Sequence, residues 1–240
     1  MIHRVFQATA LAVGIEIDLD QDAVNHVANV LRLKVNEPLI IFNSKGGEYL
    51  AKIIEIKRRK VKVRLNEFKN INRESNLRIH LAQGLVSGDK MDFILQKFVE
   101  LGGIEITPII TARCNVKLSS DRWQKKITRW QKIIISACEQ CGRNILPKIN
   151  LPVSFADFVS QNKANTKIIL DPNGSLSCRD LIAASSICVL IGSEGGFTDE
   201  EVALAKEHNF LDVEVGSRIL RAETAGIAII SILQSQYGDF

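Results

Sequence analysis

Apolar positions recur at two different periods along the 240-residue chain, and the changes of period lay out its organisation. Trp123, Ile127, Trp130, Ile134, Ala137 and Cys141 fall at intervals of four and three, which predicts a long helix over 121–141 with one buried stripe. Met91, Ile94, Leu95, Phe98 and Leu101 predict a second helix over 90–101, with Gly102 as its stop. Short continuous apolar runs at 77–81, 104–110, 167–170, 187–191 and 211–215 read as buried strands. Helical patterns follow at 199–208 and 224–236, and a short helix is expected near 179–184. Strands alternating with helices predict an α/β domain: a parallel sheet with helices on both faces.

The first 70 residues have a different rhythm. Pro38–Phe42 predicts a strand, 43–47 a turn, 49–56 the returning strand, and 61–65 a third strand in which Lys62 and Arg64 alternate with Val61 and Val63. Ahead of them, Asp20 is placed to cap a helix carrying Ala23, Val24, Val27, Val30 and Leu31 at helical spacing. The pattern describes a small curled sheet with one basic surface, of the size of an RNA-binding barrel. The polar stretch 66–76 has the composition of a linker. The boundary is therefore expected near residue 72, with an RNA-binding barrel over 1–72 and the α/β domain over 73–240.

Charge sharpens this division. Residues 1–150 carry 25 Lys/Arg against 15 Asp/Glu, and residues 151–240 carry 6 against 12. A basic front suits a polyanion, although two solvated faces of opposite sign would give the same count. The 5 cysteines point to a reducing compartment rather than a disulfide framework. The longest apolar stretch, 225–233, is about half the length of a membrane span, so it reads as a buried helix. The N-terminus lacks the pattern of a signal peptide. The expected location is the cytoplasm, with no membrane association.

The candidate chemistry lies between 187 and 225, where two apolar runs each end in a Gly-containing loop that enters a helix. Gly192-Ser193-Glu194-Gly195-Gly196 leads into Thr198-Asp199-Glu200-Glu201, a capping box. The loop lacks the G-x-G-x-x-G of a dinucleotide site, and Glu194 would repel a diphosphate. A ligand that is neutral or cationic at that end fits better, and S-adenosylmethionine has adenosine, no phosphate and a sulfonium. Alone, this loop also fits a plain Gly-rich turn. The second loop, 216–223, adds Ile219-Leu220, apolar residues suited to sandwiching an adenine, with Arg221 and Glu223 beside the next helix and Thr224 as its expected cap. Cys138-Glu139-Gln140-Cys141 matches C-x-x-C but sits inside a helix without a second pair, so neither a redox nor a metal site is expected. His3, His26, His80 and His208 show no ligand or triad spacing. His26, Arg32 and Arg4 are candidates for phosphate contact.

Several stretches together resemble the RsmE family, bacterial 16S ribosomal RNA uridine-N3 methyltransferases of the SPOUT superfamily. They are Lys90-Met91-Asp92 through Glu100-Leu101-Gly102, Pro108 with Thr111 and Arg113, Glu139-Gln140 with Arg143 and Pro147, 191–197, and 216–225. At the front, Arg4 with Phe6 and His26 with Val30-Leu31-Arg32 fit the family's N-terminal unit. The resemblance implies a PUA-like β-barrel followed by a trefoil-knotted SPOUT α/β domain, assembled as a homodimer. It implies S-adenosylmethionine as cofactor, no metal, and 16S rRNA or the small ribosomal subunit as partner.

The cofactor would be held by Leu170, Gly192, Glu194, Gly195, Gly196, Ile219, Leu220, Arg221, Thr224 and Ala225. Catalysis would fall to Arg221, with Arg143 and Arg113 as alternatives for charge stabilisation and Glu139 or Glu100 as base. RNA would meet Arg4, His26, Arg32, Arg113, Lys126 and Arg129. Ser193 and Val99 depart from the family's usual Pro and Thr. A non-catalytic RNA-binding protein of the same fold, or a methyltransferase for another RNA, are the alternatives.

Overall fold

A computed structural model describes residues 2–114, 120–182 and 185–240. The chain forms two compact units, one running up to Glu74 and including Ile135–Leu146, the other comprising Ser75–Ile134 and Pro147–Phe240.

In the first unit, β1 (His3–Phe6), β2 (Glu16–Asp18), β3 (Pro38–Phe42), β4 (Glu48–Lys57) and β5 (Lys60–Lys69) form one mixed sheet in the order β1-β3-β4-β5-β2. Only β1 and β3 run parallel; the other neighbours are antiparallel. The strict alternation of β5 sends Val61, Val63 and Leu65 into the core with Val5, Leu39, Ile41 and Ile53. Its outward residues do not form an uncompensated basic face. Arg64 pairs with Glu16 of β2 at 2.5 Å, Lys62 with the same carboxylate at 3.7 Å, and Lys60 with Asp18 at 3.1 Å.

The helix expected after Asp20 is shorter and less regular than its spacing predicts. Asp20 caps it, accepting from the Ala23 amide at 2.9 Å, but α1 is only Gln21–Asn25 and passes into a π-helical turn, His26–Val30. The wider turn keeps Val24 and Val27 in the core while Val30, expected on the same apolar face, stands 63% exposed.

The second unit is built on β6 (Arg78–Gly84), β7 (Glu105–Ile110), β8 (Lys148–Ile149), β9 (Val153–Ser154), β10 (Thr166–Leu170), β11 (Leu176–Ser177), β12 (Ser186–Ile191) and β13 (Leu211–Glu214). The strand order is β11-β13-β10-β12-β6-β7-β8, with β9 beside β7. Every pairing is parallel.

The helices are α2 (Gly88–Glu100), α3 (Ser120–Cys141), whose residues from Ile135 onward belong to the first unit, α4 (Phe155–Gln161), α5 (Asp199–Glu207) and α6 (Ala222–Tyr237). Alternate residues of β12 serve the two faces of the sheet. Cys188 and Leu190 pack in one cluster with Phe155, Phe158 and Val159 of α4 and Ala205 of α5. Ile191 meets Gly226 of α6 on the other face. Helix α6 buries Ile229, Ile230 and Leu233. Among the described residues no helix is long and apolar enough to cross a membrane.

Two local readings are corrected. No helix forms near 179–182, because Leu176–Ser177 instead pairs with β13 and the Cys178 amide donates to the Glu214 carbonyl; residues 183 and 184 of that expectation lie outside the described residues. Helix α4 has no counterpart in the sequence reading, although Ser154 caps it through the Asp157 amide and Phe155, Phe158 and Val159 mark its buried face.

Candidate cofactor site

The carboxyl ends of β10, β12 and β13 open into a single cavity of about 630 Å³, inside the range usual for small-molecule sites. This is where open α/β sheets place ligands. Each strand contributes the loop that follows it: Leu170 with 171–173, Ile191 with 192–197, and Val213, Val215 and Gly216 with 218–223.

The first loop is tight because its glycines permit close backbone approach. The Gly196 amide donates to the Ser193 carbonyl at 3.0 Å, and Gly196 has φ of +69°, a left-handed conformation that favours glycine. A Cβ at Gly192 would stand 3.0 Å from the Gly196 backbone. Behind the loop the capping box is present: Thr198 Oγ1 accepts from the Glu201 amide at 3.2 Å, and Glu201 Oε2 accepts from the Thr198 amide at 3.0 Å. In the second loop Ile219 is 85% exposed beside the cavity, an apolar side chain with no core to cover. Arg221 occupies the N-cap position of α6 with extended backbone, and its carbonyl accepts from the Ala225 amide at 2.8 Å. Thr224 is therefore not the cap. The helix begins two residues earlier than expected, leaving Thr224 exposed and off the cavity wall.

The electrostatics are mixed. Asp171, Glu194, Asp199 and Glu223 face Lys90, Arg113, Arg218 and Arg221 around the rim. Glu223 Oε2 is buried without a hydrogen-bond partner among the described residues. Glu194 is engaged: its Oε1 accepts from the Ser87 amide at 3.0 Å, Ser87 Oγ at 2.9 Å and Lys90 Nζ at 3.2 Å. Partial burial alone would raise its pKa, but the Ser87 and Lys90 donors, with its own backbone amide, bring it down to about 2. Arg113 Nη1 donates to the Gly195 carbonyl at 2.8 Å. S-adenosylmethionine fits these features: apolar surface for a base, Gly-lined backbone for a ribose, an orphaned carboxylate oxygen, and no phosphate cradle.

Comparison with known proteins bears on the whole chain. Residues 73–234 match the RNA methyltransferase domain family and residues 19–66 the RNA methyltransferase PUA domain. A ribosomal RNA small subunit methyltransferase E from Buchnera aphidicola is 39% identical over 226 residues, covering 92% of this chain and 88% of its own. The chain belongs to the ribosomal RNA small subunit methyltransferase E family. A solved member from Neisseria gonorrhoeae, bound to S-adenosyl methionine, is 37% identical with a TM-score of 0.94 and covers 100% of both chains. A methyltransferase from Legionella pneumophila in complex with the cofactor SAM superposes over 100% of both chains, with a TM-score of 0.98 at 41% identity.

The cavity of this methyltransferase E chain brings together Leu170, Gly192, Glu194, Gly195, Gly196, Ile219, Leu220, Arg221 and Ala225 from the expected cofactor set, and adds Arg113. It also brings in Asp171, Pro172 and Asn173, which the sequence reading missed by stopping at the end of the apolar run. Asp171-Pro172-Asn173-Gly174 is a turn signal directly after a strand and could have marked them.

Other expected residues have structural work in the first unit. Arg143 is 3% exposed, and its Nε and Nη2 donate to Glu74 Oε2 at 2.8 and 2.5 Å. Glu139, whose burial pushes its carboxyl pKa up, accepts the Phe6 amide at 2.9 Å. Neither lines the cavity. Arg4 is almost wholly buried: it pairs with Glu48, donates to Asn144 Oδ1 at 2.6 Å and lies 5.0 Å over the Phe42 ring. Nη1 and Nη2 of its guanidinium are engaged inside the unit, while Nε is buried without a partner among the described residues. His26 is half-buried and Arg32 exposed.

In the second unit Lys126 lies over both Trp123 and Trp130, at 5.8 and 5.5 Å, and exposed Arg129 pairs with Asp92. Glu100, a candidate base, holds Lys97 at 2.8 Å. In the first unit, burial raises the pKa of the Cys138 thiol to about 12, and its Sγ donates to the Ile145 carbonyl at 3.8 Å.

Proposed function

We propose that the chain transfers the methyl group of S-adenosylmethionine to N3 of one uridine in 16S ribosomal RNA of the small subunit. The observation that carries this reading is the cavity at three parallel strand ends, lined by both glycine loops, in a chain of the methyltransferase E family. The cofactor, when bound, supplies an electrophilic methyl on a sulfonium.

This chain's residues then have distinct tasks. The Gly192, Gly196, Leu220 and Ala225 backbones hold adenine and ribose, with Leu170 and Ile219 against the base. Uracil N3–H is protonated at neutral pH, and each unit of pKa lowering is worth about 1.4 kcal/mol. A guanidinium beside O2 or O4 stabilises the anion that forms as the proton leaves. Of the cations lining the cavity with Lys90 and Arg218, Arg221 and Arg113 are assigned this role, and Glu223 carries a carboxylate oxygen without a partner among the described residues. Residues 1–72 serve as a PUA-like RNA-binding unit and 73–240 as the knotted catalytic domain. The reading includes a homodimer and a cytoplasmic location.

Mass spectrometry of 16S rRNA from a strain lacking this gene tests the proposal. Loss of one N3-methyluridine, restored by the purified protein with S-adenosylmethionine, is expected. An unchanged rRNA digest would overturn it. Calorimetry with S-adenosylmethionine separates the enzyme from a protein that merely binds RNA, which would give no heat.

A further inference from the structure

The sequence assigns Glu194 to the cofactor as a negative charge. Its surroundings describe another task. One carboxylate oxygen takes three donors, all from the segment entering α2: the Ser87 amide, the Ser87 hydroxyl and the Lys90 ammonium. Ser87 is the N-cap residue of α2 but makes no side-chain cap bond of its own. Glu194, distant in sequence, supplies an acceptor for the Ser87 amide at the N-terminus of α2, where the helix dipole favours a carboxylate. The tie is reinforced from beneath. A Cβ on Gly84, at the end of β6, would stand 2.4 Å from the Ser193 amide nitrogen, and Gln83 Nε2 donates to the Gly192 carbonyl at 3.2 Å. The β6–α2 segment thus holds the first glycine loop from backbone to side chain.

We infer that Glu194 is a positioning residue, a latch that fixes the first glycine loop to the start of α2, and not the counter-charge of the sulfonium. Resting on the cofactor-site reading, the inference predicts that loss of Glu194 weakens binding of the adenosine moiety regardless of ligand charge. S-adenosylmethionine and the uncharged thioether S-adenosylhomocysteine provide the two probes. Because Glu194 is 41% exposed at its side chain, the effect is moderate.

Calorimetry on the full chain with both probes should show Glu194→Ala raising both dissociation constants by the same factor, about tenfold, equivalent to about 1.4 kcal/mol. Glu194→Gln keeps an oxygen acceptor for the Ser87 amide and hydroxyl and should recover to within about threefold. Ser87→Ala, a residue off the cavity wall, should weaken both probes about twofold to threefold. Loss confined to S-adenosylmethionine, equal in Ala and Gln variants, would make Glu194 a counter-charge and overturn the latch. Hydrogen exchange on the ligand-free protein judges the latch independently. Glu194→Ala should speed exchange of the Ser87 and Gly196 amides about tenfold, and unchanged rates would overturn it. If the wild-type chain binds neither probe, the cofactor reading fails, while the exchange result still decides whether the latch exists.

Discussion

Gln234 Nε2 donates to the carbonyl oxygen of Leu101 at 2.8 Å, closing the last turn of α2 from a side chain of α6. The other end of the same amide accepts from Ser75 Oγ at 2.7 Å, and Gln234 is 0% exposed. Gly102 makes this possible: its φ is +80°, and a Cβ there would come within 2.6 Å of Nε2. With Glu194 at the opposite end, α2 takes both caps from sequence-distant side chains. Replacing Gln234 by Ala should cost about 1–3 kcal/mol, since a buried carbonyl and a hydroxyl lose their partners. Gln234→Leu restores volume without the bonds and should stay destabilised. Urea unfolding measures both, and full recovery in the Leu variant would assign the stability to packing alone.

His80 makes stability depend on pH. It is half-buried in the sheet with Nε2 2.8 Å from Thr107 Oγ1, and Thr107 also accepts from Asn150 at 2.7 Å. Burial pushes its pKa below the usual 6.5, with Lys148 acting in the same direction and Glu105 opposing. Below pH 6.5 the unfolded chain takes up the proton before the folded one, so the unfolded state binds more protons and stability falls with falling pH. The stabilisation is complete above 6.5 and drains away from there down to the lowered folded-state value. Unfolding midpoints of wild type and His80→Gln across pH 5–8 should differ in slope only in this window. A wild-type slope no steeper than the variant's would show that His80 titrates normally.

The parts of the fold legible in the sequence are those where one period dominates. Helix α3 could be read from Trp130, Ile134 and Ala137, all buried as their spacing requires, and the parallel strands from apolar runs such as 187–191. The glycine loops were legible because glycine reports backbone geometry directly. What escaped depended on partners distant in sequence. Nothing local to Arg4 says that Glu48 and Asn144 will bury it, and nothing local to Glu194 says that Ser87 and Lys90 will claim its carboxylate. The π-helical turn at His26–Val30 escaped for a subtler reason: an α period and a slightly wider one put Val24 and Val27 on the same face, and only Val30 tells them apart.

Burial divides the basic residues proposed to meet RNA. Arg32 is exposed, so Arg32→Glu should weaken RNA binding and reduce the salt slope of log K by about 1, with folding unchanged. Arg129, exposed but paired with Asp92, should lose less when reversed. Arg4→Glu would place a second carboxylate against the buried Glu48 and should cost about 3 kcal/mol or more in stability. Filter binding at several salt concentrations, run beside thermal unfolding, separates these cases. An Arg4→Glu variant of normal stability with a reduced salt slope would return Arg4 to the RNA surface.

Arg221 is the residue on which the proposed chemistry turns. It sits at the N-cap of α6 with an exposed side chain on the cavity rim, whereas Arg143 is tied to Glu74. Its backbone carbonyl holds the first turn of α6 whatever the side chain, so truncation should spare the helix and the cofactor loop. A guanidinium that stabilises the developing uracil anion contributes mainly in the transition state, and losing one such donor typically lowers kcat about 100-fold. Arg221→Ala should therefore lose about that factor in kcat while its dissociation constant for S-adenosylmethionine stays within about threefold. Arg221→Lys keeps the charge but not the planar pair of donors and should recover only part of the rate. Full methylation by Arg221→Ala with cofactor binding intact would remove Arg221 from the mechanism and leave Arg113, held at 2.8 Å by the Gly195 carbonyl, as the cation to test next.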